Sequence, residues 1–528
     1  MVMRSLTLLL FAWSAQASEV VVFSATPAGI ASAIAAKRSG AHSVHLVEET
    51  SHLGGRFAET IGFGEVQFMK PESVGGLWTE LRRKVDTLYG KPTASPEPHS
   101  LERLIESWLA AEGIQVWKDF RPVQMKKKGI SITEIIGADG RRVKGDVFVD
   151  ASYYGDLLPM AGVSWVIGRE SRSQHGESLA GVVLELKNPP GEIVLPIHRS
   201  PISGFQADGR TLLPHVHGLT SEVREGDGDN HLQAANLYAC LTRNPANRIP
   251  IKRPGDYDPK EFELLRRELA RLGEKAPFRY NSSVPGDKTK VNDGVNYLLH
   301  WAMATGANRY PTASPEERRR IWEAHRGYTH RMLWFLQNDP AVPKPIRKNL
   351  QEWGLPRDEF EGNGHWPWGL YAREGRRMAG AYVMTQRDLF EDTRKPDVIA
   401  VGNFPVDSHV VRRLATPDGK EVVNEGGFLV KPPVYEIPYR ALVPKAAECA
   451  NLLVPVALSS TRVAFNSLRV EPTWMATGQA AGTAAAFAAR RRLPVTEVPV
   501  EQIQVQLRQA GLPISALAPT GRSSETNK

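Results

Sequence analysis

A continuous apolar run, Val20-Val21-Val22-Phe23, reads as a parallel strand buried on both faces. Small residues from Ser24 to Gly29 make a tight connection. An alanine-rich stretch from Pro27 to Ser39 then predicts a helix with Gly40 as its C-cap. A second strand, Ser43 to Val47, ends at Glu48. Strand, small-residue turn, helix, strand and acid is the order of a dinucleotide-binding βαβ unit. Beyond it the pattern predicts helices from Leu77 to about Asp86 and from Leu101 to Glu112. Strands follow at 114–116, 121–125, 131–136 and 142–149, with Gly129 and Asp139-Gly140 as hairpin turns. Asp146 to Ser152 reads as a buried strand returning to the start of the unit.

From about Val182 the βαβ rhythm stops. Proline and glycine become frequent, and strand-like pieces at 181–186 and 192–197 alternate with loops. Helices are predicted over 258–272, 315–336 and 346–353. The apolar run Leu452 to Thr461 brings back the rhythm of the N-terminal unit, and Pro472 opens a Gly/Ala-rich helix through Gly478 and Ala485. A last helix covers about 500–510.

The two ends are set apart by composition. Residues 1–17 carry one positive charge (Arg4), an apolar stretch from Leu6 to Trp13 and a small-x-small site at Ala15-Gln16-Ala17. This is the pattern of a secretory signal cleaved after Ala17, and it is too short for a membrane anchor. It implies a protein of the periplasm or the cell exterior. Residues 516–528 are polar and predict a disordered tail. The rest is too long for one simple core. Cys240 and Cys449 can pair in an oxidising compartment or remain buried thiols. The net charge of +8 is spread over scattered clusters such as Arg318-Arg319-Arg320, which read as solvated faces. No nucleic-acid recognition motif and no membrane span are present.

The chemistry of the first unit is that of a pyrophosphate approaching backbone N–H groups at a helix N-terminus, here Thr26, Pro27, Ala28 and Gly29. Glu48, nineteen residues after Gly29 and followed by Glu49, is placed to take ribose hydroxyls. Ser24 and Thr26 stand where G-x-G-x-x-G has its first two glycines, so the turn alone also fits an ordinary βαβ unit. Gly54-Gly55-Arg56 adds a second backbone segment and a charge for the same diphosphate, an element common in FAD enzymes and absent from simple NAD enzymes.

With these residues, TPAGIASAIAAKRSGAHSVHLVEETSHLGGR resembles the N-terminus of secreted-type FAD-dependent oxidoreductases, some labelled xanthan lyase-like, whose fold is similar to that of glutathione reductase. The resemblance continues through Asp150-Ala151-Ser152-Tyr153-Tyr154-Gly155-Asp156-Leu157, Gly168-Arg169-Glu170-Ser171 and His175-Gly176-Glu177-Ser178. Ser152, Tyr154 and His175 stand for the family's threonine, glutamate and tyrosine. The charges Asp156, Arg169, Glu170 and Glu177 fit either a buried ion-pair network or contact with the cofactor. Further tracts are Asp229 to Tyr238, Gly364 to Met378 and Leu452 to Ala485. In the last, Arg462 replaces the family's histidine and Asn466 its glycine.

The resemblance implies an α/β fold: a discontinuous Rossmann-like FAD-binding domain, residues 18–180 and 430–495, with an inserted α+β substrate domain at 181–429 and a helical extension at 496–515. FAD is the implied cofactor, held by Thr26, Pro27, Ala28, Gly29, Glu48, Glu49, Gly54, Gly55, Arg56, Ala151, Ser152, Gly155, Arg469 and Gly478. The implied reaction oxidises a C–H bond next to oxygen or nitrogen by hydride transfer to the flavin. His231, His365, His409, Arg440 and Arg462 are the candidates on the substrate side, forming a basic pocket for an anionic or hydroxyl-rich small molecule. Oxygen or a quinone would take the electrons. The alternative is a flavin- or carbohydrate-binding protein of the same fold that has lost turnover.

Overall fold

The computed structural model describes residues 18–59, 62–276, 282–292, 298 and 301–515. The predicted secretory signal and the predicted polar tail lie outside these residues.

The chain opens with β1 (Glu19–Phe23), α1 (Pro27–Arg38) and β2 (Ser43–Val47), as the apolar pattern requires. Thr26 caps α1, its Oγ1 accepting the Gly29 N–H at 3.2 Å, and Pro27 fills the first helical turn where no N–H is needed. Next come α2 (Leu77–Tyr89) and α3 (Pro98–Ala111), both amphipathic, and β3 (Gln115–Trp117). β4 (Pro122–Lys128), β5 (Ser131–Gly137) and β6 (Arg142–Lys144) form an antiparallel meander. The single strand expected over 142–149 is two strands. After Gly145 the chain leaves the meander as β7 (Val147–Asp150), which pairs parallel to β1.

In the middle of the chain, β8 (Cys240–Thr242) and β9 (Ser282–Val284) flank β10 (Lys288–Lys290) in a small antiparallel sheet. The long helix α4 (Pro315–Asn338) packs into a separate apolar cluster drawn from residues between Ala235 and Ala372. β11 (Val398–Gly402) pairs with β12 (Tyr435–Pro438), and their side chains join the larger core. No strand forms over 181–186, and Asp229 to Tyr238 makes only isolated bridges. Their backbone groups are met singly, by carbonyls and N–H groups of distant segments, as where Ala234 N–H donates to Val410 O and Val182 N–H to Asp227 O, and by side chains. Val183 N–H, for example, donates to Glu425 Oε1.

Near the end come β13 (Leu452–Leu453), α5 (Arg462–Leu468), α6 (Glu471–Arg491) and α7 (Val500–Gln509). β13 returns to the first sheet, whose order is β13-β7-β1-β2-β3, all parallel. This parallel sheet with α1 and α6 against it fits a Rossmann-like α/β domain. Cys240 and Cys449 are both buried free thiols, so no disulfide joins them. No helix among the described residues is long and apolar enough to cross a membrane.

Candidate functional site

The connection between β1 and α1 is built for close backbone approach. Ser24 takes φ +75°, the left-handed conformation that glycine holds at this place in the nucleotide-binding motif. Its N–H donates to Val47 O at 2.7 Å, closing the turn against the end of β2. A Cβ on Gly29 would lie 1.8 Å from Ser24 O, so only glycine fits there. Thr26 Oγ1 also donates to Ala151 O at 2.7 Å, which ties the end of β7 to the α1 N-terminus. Ser152, next in the chain, bonds through N–H and Oγ to Asp150 Oδ1.

Glu48 lies under this turn. Its Oε2 accepts from Ala25 N–H at 2.7 Å and its Oε1 from Thr50 N–H at 2.9 Å. Burial raises the carboxyl above its ordinary value, and these bonds partly oppose the shift. Glu49 is raised too, by burial and by Asp156. Gly54 N–H donates to Ala25 O at 2.9 Å, bringing the Gly54-Gly55-Arg56 segment onto the same turn. Arg56 follows, buried, with its guanidinium 4.0 Å from the Tyr153 ring centroid and 4.8 Å from that of Tyr371.

α6 crosses α1 at this same end. A Cβ on Gly478 would lie 2.3 Å from Ala28 O, and Ser32 Oγ donates to Gly478 O at 2.8 Å. The two helix backbones therefore touch, as their small-residue faces allow. Segments from both ends of the chain converge on one place.

Beyond the α6 N-terminus is a buried charged network. Arg469 Nη2 pairs with Asp407 Oδ2 at 2.8 Å, and His409 Nε2 lies 3.5 Å from Asp407 Oδ1. Burial would raise Asp407, but Arg469 and His409 outweigh it and hold the carboxylate well below its usual range. Arg462 makes a two-pronged pair with Glu374, at 2.8 and 3.1 Å. Gln233 links these halves. Its N–H donates to Glu374 Oε1, its Nε2 to Asn466 Oδ1, and its Oε1 accepts from His409 N–H. Glu65 accepts from Tyr371 OH at 3.3 Å. Burial raises both Glu65 and Glu471, and Glu65 raises Glu471 further.

These residues fit a dinucleotide cofactor. The turn is held by residues too small to cover its backbone N–H groups, and a Cβ at Gly29 or Gly55 would collide with Ser24 O or Tyr153. Buried polar atoms without a hydrogen-bond partner among the described residues cluster where α6 begins: Arg469 Nε, Glu471 Oε1, Thr473 Oγ1 and Trp474 Nε1. A cleft of about 880 Å³ lined by Arg38, Glu80, Thr483 and Arg490 opens at the far end of α1 and is no part of this site. Residues 19–507 match the family described as FAD dependent oxidoreductase.

The chain belongs to the FAD dependent oxidoreductase family. Its family is one of FAD-dependent enzymes. No curated protein matches the chain. Among solved structures it is similar to the myxobacterial chondrochloren halogenase CndH at 13% identity, over 29% of this chain and 41% of that one, with a TM-score of 0.23. A flavoprotein/dehydrogenase from Cytophaga hutchinsonii shows 18% identity over 29% and 44%, with a TM-score of 0.22. L-proline dehydrogenase from P. horikoshii shows 15% over 29% and 58%, also at 0.22. The chain thus spans about half the length of these structures, and a likeness at such scores carries no argument about its chemistry.

Within this FAD dependent oxidoreductase, Thr26, Pro27, Ala28, Gly29, Glu48, Gly54, Gly55, Arg56, Ala151, Ser152 and Gly478 meet around the α1 N-terminus. Arg469 stands in the adjoining network, and Gly155 is in the turn after Ser152. Of the five substrate-side candidates, only His409 and Arg462 share the network. His231 contacts Asp229, 3.2 Å away, in a separate cluster with Arg169 and Glu425. His365 faces Glu359 O at 3.1 Å, and Arg440 pairs with Asp397 over the Tyr382 ring. No single basic pocket gathers all five. Of the charges that fit either an ion-pair network or a cofactor contact, three are ion-paired, Asp156 with Arg318, Arg169 with Asp229 and Glu425, and Glu170 with Arg377, while Glu177 accepts from Thr461 and Gln386. Sequence reasoning passed over Glu65, Gln233, Tyr371, Glu374, Asp407 and Glu471. Asp407 and Glu374 lie beside residues it did select, and Glu471 is in the Arg469-Val470-Glu471-Pro472 tract. Glu65 carries no local pattern.

Proposed function

We propose that this enzyme oxidises a small organic substrate at a C–H bond next to oxygen or nitrogen, the hydride passing to bound FAD. The observation that carries this is the convergence of the α1 N-terminus, the Gly54–Arg56 segment and the α6 N-terminus beside a buried network of acids. Thr26 to Gly29 and Gly54 to Arg56 bind the diphosphate, Glu48 the ribose, and Ala151, Ser152 and Gly478 flank the cofactor. Burial raises both Glu65 and Glu471 toward neutrality, which suits these carboxyls to take the proton that leaves the substrate. Arg56 offsets the charge left behind. Arg462 is locked to Glu374 and serves to hold Gln233, not to move protons. The discontinuous FAD domain with residues 181–429 inserted is supported by the separate apolar cluster between Ala235 and Ala372. Residues 1–17 direct export, and oxygen or a quinone reoxidises the enzyme.

The test is direct. Purified protein should be yellow, should bleach anaerobically with a panel of alcohols, amines and hydroxy acids, and should recover colour with oxygen or a quinone. Glu471→Gln should keep the colour and slow bleaching at least tenfold. Yellow protein that no member bleaches favours the second reading, a binding protein. Arg462, standing where the resembling family has histidine and locked to Glu374, is the observation that favours that reading.

A further inference from the structure

Two lysines on β10 point to the same face of their strand yet meet opposite surroundings. Lys288 Nζ is held by Glu97 Oε1 at 2.7 Å, Asp358 Oδ2 at 2.8 Å and Glu359 Oε1 at 2.7 Å. Burial opposes its charge, and those carboxylates outweigh burial and raise it above the ordinary lysine value. Lys290 is fully buried, and its Nζ has no hydrogen-bond partner among the described residues. Burial lowers it to about 8.

The described groups facing Lys290 explain why no countercharge among them reaches it. Cys240 is its cross-strand partner on β8, and burial pushes that thiol up to about 12, so it stays neutral. From the other side come Gly62 and Ser95: a Cβ on Gly62 would be 3.5 Å from Lys290 Nζ and 2.8 Å from Ser95 Oγ. The other charges that act on Lys290 are Glu359 and Lys288, and those two neutralise each other. An ammonium buried without a partner is strongly unfavourable, and a merely structural residue here would be apolar.

The position adjoins the network at the start of α6. Gly62 is three residues before Glu65. Two residues past the end of β10 is Asn292, whose Oδ1 accepts from Arg373 Nη2 at 3.2 Å and from Asn236 Nδ2 at 3.1 Å. We propose that Lys290 is the substrate-binding residue that pairs with a carboxylate, so that the enzyme acts on small carboxylate-bearing molecules. The inference rests on the oxidoreductase reading and narrows its substrate class. No covalent step is involved. The ligand's carboxylate supplies the charge that the protein withholds.

The experiment uses yellow holoenzyme and follows its thermal midpoint against sodium acetate, glycolate and benzoate. Sodium chloride and the corresponding amides are the controls. The carboxylates should raise the midpoint saturably at pH 7, and the controls should not. Apparent affinity should fall about 30-fold from pH 7 to pH 9.5, because the free lysine loses its proton over that range. Lys290→Met should weaken the response at least tenfold, and Lys290→Arg should restore part of it. No response to any carboxylate in wild type, equal responses at both pH values, or an unaltered response in folded Lys290→Met would each overturn the proposal. The pH comparison needs no variant, so a variant that fails to fold leaves the test intact. Bleaching by neutral substrates without carboxylate binding would sink Lys290 and keep the oxidoreductase. Carboxylate binding without bleaching by any substrate would do the reverse.

Discussion

Gly478→Ala tests the crossing on which the cofactor site depends. The added Cβ would lie 2.3 Å from Ala28 O, against a normal carbon–oxygen separation of about 3.3 Å. The contact is backbone on backbone, so no side chain can rotate away. α1 and α6 must part by about 1 Å, and the Ser32 Oγ bond to Gly478 O at 2.8 Å is stretched with them. Overpacking of this kind costs about 3 kcal/mol when relaxation is poor. If a unit of about 500 residues unfolds together, at roughly 2.1 cal/mol/K per residue, the thermal midpoint drops by about 3 °C. FAD retention should suffer as well, because the parting opens at the α1 N-terminus. The assay is melting of apo and holo protein with flavin content read from absorbance. Gly255→Ala, where nothing lies within 4 Å of the new methyl, is the control and should change little. A Gly478→Ala protein with wild-type midpoint and flavin content would refute the close crossing.

Other expectations are smaller in scope. Ser24→Gly relieves a left-handed serine worth about 1–2 kcal/mol, less about 0.5–1 kcal/mol of glycine chain entropy, so chemical denaturation should show neutral to slightly raised stability with FAD kept. Asp407→Ala leaves Arg469 buried and uncompensated and should lower stability by about 3–5 kcal/mol, measurable as a large midpoint drop. Burial raises Glu177 to about 7 from its ordinary 4.5, opposed by Thr461 and Gln386, which bond its Oε1. The folded protein therefore binds more protons than the unfolded chain between about pH 4.5 and pH 7, and stability falls as pH rises through that window. Glu177→Gln should flatten that slope by up to about 3 kcal/mol in denaturation curves taken at about pH 4.5 and 7.5.

The βαβ unit was legible because its information is local: Val20 to Phe23 is buried on both faces, and the alanines of α1 have no other use. Its turn was harder to read, since Ser24 adopts glycine's conformation without being glycine. The stretch 181–186 looked strand-like and 229–238 matched a family tract, yet their backbones pair only singly with distant segments, as Val182 does with Asp227 and Ala234 with Val410. The acid network could not be read at all from spacing. Glu65 meets Tyr371 across 306 positions and Gln233 meets Asn466 across 233, and no periodicity links residues so far apart. The scattered basic residues were dispersed for the same reason: His231, His365 and Arg440 each find a nearby acid or carbonyl of their own.

The contact between Ala28 and Gly478 also sets a clock on biogenesis. At roughly 5–20 residues per second, a ribosome needs about 20–90 s to make the 450 residues between them. Throughout that interval the first βαβ unit lacks the helix that closes it, and its apolar face must be kept from wrong partners. Flavin loading is therefore a late event, open only to a chain that has been finished almost to its last helix.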